Sequence, residues 1–169
     1  MADIEDAIAL AVRAHRGQKD RAGAPYILHP LRMMFRVETD AEKMAAVLHD
    51  VVEDTDWTLD DLRAEGFPEE VVAAVDHLSR REDESYEEFV ERAAAHPVAR
   101  RVKIADLEDN MDVRRMGAVT DRDVERLTRY HRAWRSLVAT CGAGSAGPLL
   151  APRGGRFASR RPGNGGPLR

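Results

Sequence analysis

The chain has 169 residues, 43% hydrophobic and 33% charged, with 26 lysines and arginines against 30 aspartates and glutamates. That length supports one domain around a single core, and no run approaches the roughly 20 apolar residues that cross a bilayer. The lone Cys141 excludes an internal disulfide framework and fits a reducing cytosol, so a cytoplasmic protein is expected.

Met1-Ala2-Asp3-Ile4-Glu5-Asp6 is acidic and lacks the basic and apolar regions of a signal peptide. Ile4, Ala7, Ile8, Ala11 and Val12 recur at three and four, which predicts an amphipathic first helix ending near Gly17. A polar loop from Gln18 to Pro25 leads to Pro30, which suits the first turn of a second helix with His29 just outside it. Leu31, Met34 and Phe35 continue that helix. Asp40 reads as the N-cap of a third, spanning roughly Ala41 to Val52. Thr58 opens a short helix that Gly66 stops, and Pro68 starts one that carries Val71, Val72, Val75 and Leu78 inward. Ser85 with Glu88 has capping-box character. Pro97 begins a helix through Val102 and Ile104 to Met111, and Thr120 or Asp121 caps a last one with Leu127, Tyr130, Trp134, Leu137 and Val138 inward. No window alternates as a strand does. An all-α protein is expected, a helical bundle of irregular topology without internal repeats.

Residues 141–169 differ in kind. They hold five arginines and no acid, with eight of the twelve glycines and four of the eight prolines. Such a composition cannot bury enough surface to offset chain entropy. Two regions are therefore expected, a folded domain over 1–140 and a disordered Gly/Arg/Pro-rich tail over 141–169. The domain then carries 21 cations against 30 acids, a net charge of −9. No nucleic acid is expected as its partner, because phosphate attraction supplies most non-specific affinity.

The chemistry concentrates in Leu48-His49-Asp50-Val51-Val52-Glu53-Asp54-Thr55. Residues four apart on a helix share a face, which sets His49 over Glu53 and Asp50 over Asp54 beside an apolar run. Four ionisable groups next to a buried side point to a metal or a reaction. A divalent ion needs ligands converging from several elements. The candidates are His29, His49, Asp50 and Asp106, the last a charged residue within an apolar helix. Two histidines with two aspartates suit Mn²⁺, Fe²⁺ or Zn²⁺ better than calcium.

His29-Pro30, His49-Asp50 and Asp106, in this order, resemble the His-Asp (HD) phosphohydrolase superfamily. More narrowly, Ala14-His15-Arg16-Gly17-Gln18, Gly23-Ala24-Pro25-Tyr26-Ile27-Leu28-His29-Pro30, the His49 to Thr55 stretch and Lys103-Ile104-Ala105-Asp106 with Asn110 resemble the hydrolase domain of RelA/SpoT proteins. The likeness covers roughly residues 4–138. It implies an HD-domain bundle in which His29, His49, Asp50 and Asp106 hold one Mn²⁺, and Glu53 and Asp54 orient and deprotonate the attacking water. Asn110 would contact the substrate, Lys19, Arg21 and Lys103 would receive its diphosphates, and Tyr130 could close over it. The implied reaction is hydrolysis of ppGpp or pppGpp to pyrophosphate and GDP or GTP.

Three departures bear on specificity. In the family an arginine nine residues before the first metal histidine stacks on guanine, and that position is Asp20 here, with Arg21 next. Family members usually have a cation after the last metal aspartate and His or Tyr before the asparagine, where this chain has Leu107 and Asp109. The same hydrolase acting on (p)ppApp or the 2′-phosphate of NADPH, and a non-catalytic nucleotide sensor, are therefore the alternatives. Plainer readings also stand. His29 could cap a helix, Glu53 and Asp54 could be a solvated helix end, and Asp106 could pair with Lys103 or Arg101. Asp109 and Asp112 are expected to be solvated. His15 is expected to support the loop, and Tyr26, Tyr130 and Trp134 to be core. Oligomeric state is not readable.

Overall fold

A computed structural model describes residues 1–142 of the chain. The expected tail, from 143 onward, lies outside the described residues. Nine α-helices are described: α1 (Ile4–Ala14), α2 (Leu28–Met34), α3 (Asp40–Leu48), α4 (Val51–Asp54), α5 (Leu59–Ala64), α6 (Glu69–Leu78), α7 (Tyr86–Ala95), α8 (Pro97–Asn110) and α9 (Asp121–Gly142). A short 3₁₀ turn, Val113–Arg115, links α8 to α9. The described residues contain no strand, only one isolated bridge between Lys19 and Pro25. The fold is all-α.

Local chemistry sets the starts. Asp3, Thr39, Thr58 and Ser85 each close a reciprocal capping box with the residue three further on. Thr39, rather than Asp40, is thus the cap of α3. Its side-chain oxygen accepts the Glu42 N–H while Glu42 reaches back to the Thr39 N–H. Thr120 does the same for α9 with Asp123. Pro97 sits at the first position of α8, and His96 caps it.

α3 is the hub, packed by α1, α2, α6 and α8. Its last five residues, Met44 to Leu48, are all buried. They meet Leu10 of α1, Met33 of α2, Val71, Val72 and Val75 of α6, and Val98 and Val102 of α8. A second cluster joins Val90 of α7, Ile104 and Leu107 of α8, and Ala133 and Leu137 of α9. Two apolar residues of the first two expected helices are exposed. Val12 is exposed, and Phe35, which ends α2, is 82% exposed. Leu10 and Met33 are buried beside Ala7, Ala11 and Met34.

The expected helix through Val52 is interrupted. α3 stops at Leu48, His49 and Asp50 form a turn, and α4 resumes at Val51. Asp50 departs from helical geometry, at φ −102° and ψ 0°, although the Asp54 N–H still reaches its carbonyl at 2.9 Å. The reading of one unbroken face therefore fails at His49-Asp50. That break turns both side chains toward α2 and α8.

Candidate metal centre and substrate cavity

Three elements converge. His29 stands in the first turn of α2, His49 and Asp50 at the α3–α4 break, and Asp106 in the C-terminal half of α8. His29 lies within its helix rather than just before it. One ligand atom from each of His29, His49 and Asp50 lies within 4.8 Å of the others. His29 Nε2 is 3.3 Å from Asp106 Oδ1. His29, His49 and Asp106 are buried, and Asp50 is half-buried.

The histidine protons point the other way. His49 Nδ1 donates to the Ala46 carbonyl at 2.9 Å, and a carbonyl can only accept, so Nε2 carries a lone pair. That Nε2 is buried and makes no hydrogen bond, although Asp50 Oδ2 lies 2.8 Å away. The distance suits a bond and the angle does not. Two acceptors thus aim at one point, an arrangement a cation resolves. His29 Nδ1 faces Asp109 Oδ2 at 2.8 Å, leaving its Nε2 for the centre.

Charge tells the same story. Burial alone would lower the His29 imidazole, but its bonds to Asp106 and Asp109 outweigh this and push it up to about 9. Burial opposes ionisation of Asp106, yet the Lys103 ammonium beside it and its hydrogen bond with His29 hold it below the ordinary range. The centre is built for positive charge, and two imidazoles with two carboxylates fit a divalent transition metal.

A cavity of about 620 Å³ opens from these ligands, a volume typical of small-molecule sites. Glu53 and Asp54 stand exposed at its wall. Burial against the cavity, followed for Asp54 by the Asp50 charge, still raises both carboxyls. Glu53 Oε2 accepts the Arg80 N–H at 2.9 Å. Lys19 and Arg21 are exposed on the loop wall, held there by the Asp20–Ala24 turn. Gly23 takes φ +80° in that turn, a conformation L side chains rarely adopt. Tyr130 lines the cavity from α9, with Arg129 and Arg126 over its ring.

Two expected substrate contacts are placed differently. Lys103 does not line the cavity. Its Nζ donates to Asp106 Oδ2 at 2.7 Å and sits 4.6 Å from the centre of the Phe89 ring. Asp106 therefore stands beside His29 at the candidate centre and in an ion pair at once. Asn110 does line the cavity, but its Nδ2 donates to Asp106 Oδ1 at 2.5 Å and to the Asp106 carbonyl at 3.1 Å. Only its carbonyl oxygen is left for a ligand.

Asp109 overturns its expected solvation. It is 1% exposed and accepts from His29, from Arg32 Nε and Nη2 at 2.8 and 2.9 Å, and from Arg115 Nη1 at 2.6 Å. Against its burial, His29 and Arg32 keep the carboxyl well below the usual range. Asp20 is also spoken for. Its Oδ1 accepts the Ala22 and Ala24 N–H groups at 2.9 Å each, and its Oδ2 takes Arg115 Nη2 at 2.5 Å. Leu107 lies in the second core cluster and not in the cavity. Tyr26, expected as core, donates its hydroxyl to Asp50 Oδ2 and lines the cavity. His15 supports the loop as expected, with Nδ1 2.8 Å from Gln18 Oε1. Helical spacing was the available signal for Asp109, which stands three residues from Asp106 and beside Asn110.

Residues 7–127 match the HD domain, and the chain belongs to the HD-domain family, whose members imply a divalent metal at such a centre. Within it, this chain is similar to RelA/SpoT-type proteins. The GTP pyrophosphokinase of Streptomyces coelicolor is 37% identical over 121 residues, 64% of this chain and 14% of that protein. The guanosine-3′,5′-bis(diphosphate) 3′-pyrophosphohydrolase of Vibrio cholerae is 34% identical over 141 residues, 75% of this chain and 20% of that protein. The chain thus spans a fifth or less of these relatives' length. A solved structure of a metazoan orthologue of SpoT that hydrolyses ppGpp superposes with a TM-score of 0.67, covering 82% of this chain and 86% of that one at 24% identity. That likeness establishes the fold.

Proposed function

We propose that the chain is a Mn²⁺-dependent 3′-pyrophosphohydrolase of ppGpp and pppGpp, with one ion held by His29, His49, Asp50 and Asp106. One observation carries the reading: the buried, unpaired His49 lone pair faces the same point as Asp50, and that point opens into a cavity walled by Glu53 and Asp54. The relatives named as 3′-pyrophosphohydrolases support it.

A bound divalent ion lowers the pKa of a water toward neutrality and offsets charge on the phosphate. The chain's own groups do the rest. Tyr26 holds Asp50, and Asp109 holds His29. Glu53 or Asp54, both raised above the ordinary carboxylate value by burial, takes the proton of a water within hydrogen-bond reach. The water oxygen adds to the phosphorus on the 3′ oxygen, and that oxygen leaves and gains a proton, releasing pyrophosphate. Lys19 and Arg21, exposed on the wall, attract the polyanion.

The test is pyrophosphate release from ppGpp by Mn²⁺-loaded protein, with EDTA and Asp50→Ala as controls. Release that both controls abolish is expected. No release with Mn²⁺ demonstrably bound overturns the reading. A second substrate is favoured by one observation. Asp20, bound to Arg115, replaces a bare guanidinium at the base end. A panel with ppApp and NADPH distinguishes the two, and preference for either moves the substrate while keeping the chemistry. Nucleotide binding without any turnover would make the chain a sensor, a role for which Glu53 and Asp54 have no use.

A further inference from the structure

Arg92 lies on α7, apart from the metal donors, and its side chain is only 14% exposed. Its Nη1 donates to the Asp76 carbonyl at 2.7 Å and its Nη2 to the Ser79 carbonyl at 2.8 Å. Its Nε and Nη2 reach the two Glu84 carboxylate oxygens at 2.7 Å each. Asp76 is in the last turn of α6, Ser79 ends it, and Glu84 comes just before α7. One guanidinium therefore fastens both ends of the segment 79–85. Its rigid fork suits this, since each donor has a fixed direction.

The same segment reaches the cavity. The Arg80 N–H donates to Glu53 Oε2, the one hydrogen bond that carboxylate makes among the described residues. Glu53 is exposed on a four-residue helix, and an exposed glutamate left alone samples many rotamers. A general base acts only within hydrogen-bond reach of its proton, and small misplacements are costly.

We infer that Arg92 is a positioning residue for Glu53, acting through the segment 79–85 and its Arg80 N–H. The catalytic consequence rests on the hydrolase reading, whereas the positioning itself rests on these hydrogen bonds.

The experiment is a cycle of wild type, Arg92→Lys, Glu53→Gln and the double variant, assayed for ppGpp turnover with Mn²⁺. Amide exchange of Arg80 is followed by NMR on the same proteins. Arg92→Lys is expected to lower kcat roughly tenfold with KM unchanged. In the Glu53→Gln background it is expected to cost nothing further, because the group it positions is gone. An equal loss in both backgrounds would mean a merely structural role and overturns the inference. The Arg80 amide is expected to exchange faster in Arg92→Lys. Wild-type protection there overturns the inference whether or not the protein turns over. Absence of turnover in wild type, by contrast, sinks the hydrolase reading and leaves the exchange data to decide the positioning. Should Arg92→Lys fail to fold, Glu84→Gln weakens the same clip and carries the same readouts.

Discussion

A metal-binding imidazole needs its far nitrogen held, and here the two histidines are held differently. His49 spends its Nδ1 proton on the Ala46 carbonyl at the end of α3, while His29 spends it on Asp109 from α8. The second bond is charge-assisted, and Asp109 is itself pinned by Arg32 and Arg115. Asp109→Asn is expected to lower Mn²⁺ affinity roughly 10–100-fold, as loss of such a partner does elsewhere. Free Mn²⁺ measured by electron paramagnetic resonance checks this. Unchanged affinity in a folded variant would remove Asp109 from the centre. The four candidate ligands were legible in the sequence, because His49 next to Asp50 and an aspartate within an apolar helix are costly to bury unless a cation compensates them. Asp109 was not, since Glu108, Asp109 and Asp112 together look like a solvated acidic face. Only packing against Arg32 and Arg115 buries the middle one. Tyr26 was hidden for the opposite reason: an aromatic residue beside apolar neighbours reads as core, and a single hydroxyl makes it part of the site.

At the scale of elements, caps and periodicity were readable, and one break was not. Met44 to Val52 keeps an apolar rhythm straight through the α3–α4 turn, so nothing local marks His49-Asp50 as the stop. Packing of α2 and α8 against the end of α3 decides it. The α6–α7 connection was equally silent, for its order depends on a partner 8 residues beyond Glu84. The Arg92 hydrogen bonds hold the Glu84 carboxyl down at about 2, against an ordinary 4.5. A carboxyl whose pKa falls on folding stabilises the fold above its unfolded value and loses that effect as pH drops toward its folded value. Glu84→Gln should therefore destabilise fully at neutral pH. The difference from wild type should shrink below about pH 4.5 and vanish near 2. Urea denaturation of both proteins from pH 7 to 2.5 measures it, and a difference that stays constant over that range would show that the clip contributes no charge-dependent stability.

Over the whole molecule, the cavity gathers eight carboxylates against four lysine and arginine side chains. Two of those cations, Arg115 and Arg126, are already paired with acids of the wall. Such a site repels a polyanionic nucleotide unless a cation joins it, so metal and substrate binding should be linked. The donors also come from α2, the α3–α4 break and α8, elements far apart in sequence that pack on one another only in the folded chain. An ion held by all three binds the folded chain and not the unfolded one. At about a hundred times its Kd it adds about 2.7 kcal/mol of stability. For a domain of this size that is a rise in Tm of roughly 5–10 °C. Calorimetry with and without Mn²⁺ reads the shift, EDTA should reverse it, and Asp50→Ala should abolish it. A wild-type Tm indifferent to saturating Mn²⁺ would mean that these residues do not assemble into a metal centre, whatever their order along the chain.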